Sequence, residues 1–220
     1  MKDNIDCITK YRNGGEKMQN INDVFLNGTI KEIEPSHVID GVEFSKAKLI
    51  CKRDNGQEDV INLRFKSFSN HYSENDEISL KGNIRSYSHK TEDGRNKVTI
   101  YVFTYFDESE DTFEGNNVVH LTGRVCKMNE LRRTRNNKNN IHFIVANNLV
   151  SGDSGKRLNS YIPCIAWGKL AVQLSSLTVN DKVELIGRLH SREHTKTYEN
   201  GKTEIRVAHE LLIDSFEVLE

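Results

Sequence analysis

The feature that most constrains this chain is an internal repeat built on strands with glycines inside them. Val24-Phe-Leu-Asn-Gly28-Thr-Ile30 matches Val119-His-Leu-Thr-Gly123-Arg-Val125 in pattern and glycine position. Glu77-Ile-Ser-Leu-Lys-Gly82-Asn-Ile-Arg-Ser86 matches Lys182-Val-Glu-Leu-Ile-Gly187-Arg-Leu-His-Ser191 in the same order. Asn75-Asp76 and Asn180-Asp181 precede the second pair, as turn residues should. A polar hairpin centred on Gly94 or Gly201 follows, then a closing alternating strand (98–106 or 203–208). Chance explains one such match; duplication explains several in series.

Each half therefore reads as five strands, with a glycine inside the first and the fourth. Interior glycines mark the tight bends or bulges that a small closed barrel requires. Leu170, Leu174 and Leu177 recur at helical spacing, so residues 169–177 are predicted as an amphipathic helix between strands three and four. The matching segment of the first half, 67–74, is shorter and more polar, enough for a turn. Five strands with a helix between the third and fourth is the order of an OB fold. The predicted class is all-β, two tandem five-stranded OB-fold barrels with at most one short helix each. A single large β-sandwich leaves the repeat unexplained. The predicted division is a disordered leader over 1–20, a first barrel over 21–106, an acidic linker over 107–116 and a second barrel over 117–220.

Composition narrows the function. With 31 Lys+Arg against 32 Asp+Glu the net charge is −1, but the first half is acidic and the second basic. Asp107, Glu108, Glu110, Asp111 and Glu114 concentrate the acid in the linker. Single-strand binders need a positive groove, not a positive protein. No apolar run reaches membrane length. The cysteines, Cys7, Cys51, Cys126 and Cys164, are dispersed without a CxxC pair, which argues against zinc and against a disulfide framework. A reducing cytoplasm follows. No phosphate-binding glycine loop, metal-spaced cluster or activated nucleophile appears, and His209-Glu210 lacks the second histidine of a zinc protease. No enzyme activity, metal or cofactor is expected.

In Tyr161-Ile-Pro-Cys-Ile-Ala-Trp167-Gly-Lys-Leu-Ala171, strand alternation puts Tyr161, Pro163, Ile165 and Trp167 on one face and Ile162, Cys164 and Ala166 on the other. The compact row suits the inside of a narrow barrel. The row with the sole tryptophan suits a surface that stacks on flat groups, the alternative being core aromatics. Arg132, Arg133, Arg135 and Lys138 form the densest cationic run, predicted as a loop, and Arg188, Arg192 and Arg206 follow on later strands.

These segments carry a family resemblance. Gly123-Arg-Val, Glu130-Leu-Arg-Arg-Thr, Phe143-Ile-Val-Ala, Ile162 to Ala171 and Val183 to Leu189, in that order, resemble the bacterial single-stranded-DNA-binding proteins over 117–220. The first half looks like a divergent copy, through Gly28 and Gly82-Asn-Ile-Arg-Ser. The resemblance implies OB barrels that wrap single-stranded DNA with little sequence preference, in replication, recombination or repair. It places base-stacking aromatics at Tyr161 and Trp167 and a phosphate-binding segment at Arg132–Lys138. It also implies assemblies of four barrels, hence a dimer of this chain. A third aromatic of the family's hairpin is missing here, with His194 near its place and Tyr198 beyond.

In the first half, Phe44, Lys46, Lys48 and Ile50 share a strand face, Phe65 is aligned with Trp167, and Arg85 and Tyr87 extend the fourth strand. Together they continue a DNA path onto that barrel. Tyr101, Phe103 and Tyr105 form an aromatic stripe that suits either that path or an interface. The given sequence ends soon after Phe216 with no Gly/Pro-rich acidic tail of the family's kind, so either partners are not recruited through such a tail or the given sequence stops short of it. Gly14-Gly-Glu-Lys-Met18 can be encoded by a purine-rich ribosome-binding stretch, making Met18 a candidate start. The competing functions are an OB-fold protein-interaction scaffold and an RNA-binding protein.

Overall fold

Alternating apolar residues and paired glycines fold this chain into two barrels that share one strand seam. The computed structural model describes residues 20–90, 94, 96–104, 116–150, 155, 157–197, 201 and 203–219. The predicted leader (1–19), Met18, most of the linker, Tyr105, Phe106 and Tyr198 lie outside the described residues, as do the side chains of His194 and Arg206.

The first barrel comprises β1 (Asn22–Ile39), β2 (Val42–Lys52), β3 (Glu58–Lys66), β4 (Glu77–Lys90) and β5 (Asn96–Thr104), with a 3-10 turn at Ser67–Ser69. The second comprises β6 (Asn117–Met128), β7 (Arg132–Arg133), β8 (Asn139–Val150), β9 (Arg157–Trp167), helix α1 (Gly168–Leu174), β10 (Lys182–Thr197) and β11 (Thr203–Leu219). Two expectations are corrected. The last strand runs well past residue 208, because its register with β10 continues to Lys182↔Leu219. The helix stops at Leu174, and turn bonds such as Leu177 N–H to Leu174 C=O carry the chain onward.

Closure comes from one short parallel pairing per barrel: β3 with β5 at Leu63↔Val102, and β9 with β11 at Cys164↔Leu211. The remaining pairings are antiparallel. The glycines are there for backbone approach. A Cβ on Gly28 would lie 2.4 Å from the Ile50 carbonyl oxygen, and one on Gly187 would lie 2.1 Å from that of Leu212. Each barrel is filled by its inward row, including Leu26, Leu49, Leu63 and Phe65 in the first and Phe143, Ile162, Ala166 and Leu185 in the second. Cys164 is 1% exposed, a small core residue.

The duplication is written into the seam. β1 and β6 pair antiparallel, and Val24 lies opposite Val119, its own counterpart in the repeat. A local two-fold axis therefore passes between them. Asn22 Nδ2 donates to the Ile84 carbonyl while its Oδ1 accepts the Ile84 amide. Asn117 makes the same two bonds to Leu189. Further out, the Tyr161 amide donates to Ser86 Oγ, and the Val60 amide donates to Ser191 Oγ. The symmetry breaks at Asp59, 1% exposed, which accepts from Arg53, from Arg188 at 2.8 Å and from the Ser191 amide at 2.9 Å, with His190 Nδ1 at 3.1 Å. Burial alone would raise its pKa, but the hydrogen bonds from His190, Arg53 and Ser191 outweigh it and hold the carboxyl well below the usual range. No helix among the described residues is long and apolar enough to cross a membrane.

Candidate nucleic-acid interface

On the second barrel, strand pairing lines up Arg132, Asn140 and Trp167 across β7, β8 and β9. Tyr161 stands near the middle of β9, opposite Ala146. Both aromatics are open, Tyr161 at 48% and Trp167 at 42% exposed. Six residues of strand separate them by about 20 Å, so they are two platforms rather than one. Pro163, Ile144 and His142 pave the surface between them, half-buried. Ile165 belongs to the same row but is 2% exposed, covered where β9 meets β11. Trp167 is the last strand residue, and Gly168 turns the chain into α1 with φ of +63°. Glycine takes that left-handed conformation at no steric cost, and the turn leaves the indole at the rim.

The cationic run is an ordered hairpin rather than the loop expected from sequence. Arg132 and Arg133 pair with Asn140 and Asn139. The Thr134 amide donates to the Lys138 carbonyl at 2.9 Å, and Asn137 supplies the positive φ of 61° that the reversal needs. Arg132, Arg133, Arg135 and Lys138 are all exposed on it. The acid Glu210 is set into this surface, 6% exposed, 3.7 Å from His142 and 3.9 Å from Arg192, with Oε1 lacking a hydrogen bond among the described residues. Arg192 stays half exposed beside it.

Two expected site residues are corrected. Arg188 ion-pairs with Asp59 at 2.8 Å in the contact between the barrels, so its charge is committed to the fold. Phe65 is 0% exposed. Its alignment with Trp167 is off by one: Leu63 and Cys164 hold equivalent closing pairs, so Phe65 is the counterpart of Ala166 and Lys66 that of Trp167. A shift of one residue moves a strand side chain to the other face.

The first barrel's outer face is different in kind. Lys46 and Lys48 on β2, Arg64 on β3, Tyr87 on β4 and Tyr101 on β5 line one open groove with Glu32 and Glu34 of β1. Arg64 lies 4.4 Å from the Tyr87 ring centre and 4.6 Å from that of Tyr101. Arg85 covers Phe103 at 3.9 Å. The aromatics here back arginines, Tyr87 remaining 37% exposed, and the Tyr101–Phe103 part of the stripe belongs to this face. Sequence reasoning misses Arg64, Lys66 and the 72%-exposed Phe68. The alternation of Asn62, Arg64 and Lys66 against Ile61, Leu63 and Phe65 is the signal that reveals the first two. Among the described residues no group of three His, Cys, Asp or Glu side chains is placed to hold a metal ion.

The model of the "Single-strand binding protein family" matches residues 116–219, the second barrel. Single-stranded DNA-binding protein 4 of Streptococcus agalactiae is 37% identical over 106 residues, which are 48% of this chain and 74% of that one. Single-stranded DNA-binding protein 1 of Lactococcus lactis is 33% identical over 106 residues, 48% of this chain and 68% of that one. Among solved structures, the wild-type single-stranded DNA binding protein from Thermus aquaticus superposes with a TM-score of 0.64 at 20% identity, over 92% of this chain and 95% of that one. That likeness spans both barrels and speaks for the fold.

Proposed function

Because this chain belongs to the single-strand binding protein family, we propose that it binds single-stranded DNA with little sequence preference and without catalysis. The observation that carries the reading is the row Arg132, Asn140, Trp167, which sets a cation and an open indole on one line of a strand face. Every base has a π face, so Trp167 and Tyr161 stack on any sequence at about 1–3 kcal/mol per base. Arg132, Arg133, Arg135 and Lys138 take the phosphates between, and Arg192 adds a contact beside Glu210. Neutralising phosphates releases counterions, which drives association and makes it salt-sensitive. A duplex hides its base faces inside the stack and cannot use the platforms.

The units of function on this reading are the barrels of 21–106 and 117–220. A dimer supplies four of them to one strand, in the cytoplasm, during replication, recombination or repair. A fluorescence titration of Trp167 with oligo-dT, against duplex DNA and RNA, tests the reading. Preferential quenching by oligo-dT supports it. Equal or better binding of RNA turns it to the RNA alternative, and no binding of either leaves the barrels as an interaction scaffold.

A further inference from the structure

The groove of the first barrel holds two lysine–carboxylate pairs. Lys46 Nζ lies 2.9 Å from Glu34, and Lys48 Nζ lies 2.6 Å from Glu32. Both carboxylates come from the stretch of β1 that bulges against β2: the register jumps between Lys31↔Lys48 and Glu34↔Lys46. Glu32 sits in that bulge with φ of 51°, a conformation uncommon for a residue with a side chain. Strained backbone of this sort persists where the surroundings hold it in place. At the matching positions, 127 and 129, the second barrel has no acidic residue. There Asn129 takes the place of Glu34, its amide donating to the carbonyl of His142, the counterpart of Lys46.

The two carboxylates at this bulge therefore belong to the first barrel alone. Lys46, Lys48 and Arg64 would otherwise offer three cations in one groove, with the guanidinium held between Tyr87 and Tyr101. A carboxylate bound to lysine makes the same charge-assisted contact as a backbone phosphate. Both pairs are roughly half exposed, so they are weak and open to exchange.

Resting on the single-strand reading above, we propose that Glu32 and Glu34 occupy the places two phosphates of a bound strand take on the first barrel. That barrel is then a masked electrostatic site. A strand held by the second barrel must displace the two carboxylates before it can lie along Lys46, Lys48 and Arg64. The mask makes the first barrel the weaker partner and limits how much of a strand each chain engages.

The test is the double variant Glu32→Gln, Glu34→Gln, in which both side chains keep their shape and lose their charge. With oligo-dT long enough to cover both barrels, affinity at low salt should rise about tenfold. The dependence of log K on log salt should steepen by roughly 1.4, two lysines at about 0.7 each on a single strand. Inorganic polyphosphate, which has no bases, is the second probe, followed by calorimetry. The variant should bind it more tightly than the wild type whether or not the second barrel stacks bases. Gain with polyphosphate but no binding of oligo-dT by either protein would sink the single-strand reading and leave the mask standing. No gain with either probe, or weaker binding because the carboxylates only position the lysines, would overturn the mask.

Discussion

Two aromatic residues at nearly the same point of the repeat have opposite roles, and the difference is one step along a strand. Trp167 ends β9 pointing outward, while Phe65, one residue before the end of β3, points in and is fully buried. Truncating them should separate binding from folding. Trp167→Ala should weaken oligo-dT binding by about 1–3 kcal/mol and leave the salt slope and the urea midpoint near their wild-type values. Phe65→Ala should cost about 3–5 kcal/mol of stability, through the apolar packing it removes and the cavity it leaves. Chemical denaturation and a salt series on each variant check both halves. The face of Trp167 is legible in the sequence because the run around it alternates cleanly. That of Phe65 is not, because motif alignment does not fix register; only the pairs Leu63↔Val102 and Cys164↔Leu211 do.

At the scale of elements, the β7–β8 hairpin shows what the sequence leaves open. Four cations in seven residues read as a solvated loop, the usual fate of a charge run. Thr134, Asn137 and Lys138 instead close a tight reversal that holds Arg132 and Arg133 in register with β8. A fixed hairpin presents its cations to a strand at lower entropic cost than a loose loop. Replacing Arg132, Arg133, Arg135 and Lys138 with Ala should flatten the plot of log K against log salt by about 2.8, or 0.7 for each phosphate no longer neutralised. Trp167 quenching at saturation should persist. An unchanged slope would remove the hairpin from the binding path. Chain order places the strands, the helix and the glycines, because each leaves a local periodic signal. The exact strand ends escape it, because β11 is extended by pairing with β10 rather than by its own alternation.

The whole molecule is a duplication that kept its symmetry along the β1–β6 seam and lost it further out in the contact between the barrels. The paired bonds of Asn22 and Asn117, and of Ser86 and Ser191, recur in both halves, while Asp59 gathers Arg53, Arg188 and His190 on one side alone. From sequence Arg188 reads as a DNA contact, because nothing local reveals a partner 129 residues away. Asp59 makes the union of the barrels acid-sensitive. Its folded pKa is depressed, so its contribution is complete above the unfolded value of about 3.9 and fades as pH falls below that. Asp59→Asn should cost about 2 kcal/mol at pH 7, and the gap from wild type should shrink at pH 3. Urea midpoints at the two pH values give the comparison.

Trp167 reports directly on strand binding, since it is both the chain's only tryptophan and one of the two proposed stacking platforms. Its emission would be titrated with oligo-dT, with duplex DNA and with RNA, at low and raised salt. Strong quenching by oligo-dT, weakened by salt, and little by duplex is the expected result. Unchanged emission together with no binding of oligo-dT at low salt would contradict it.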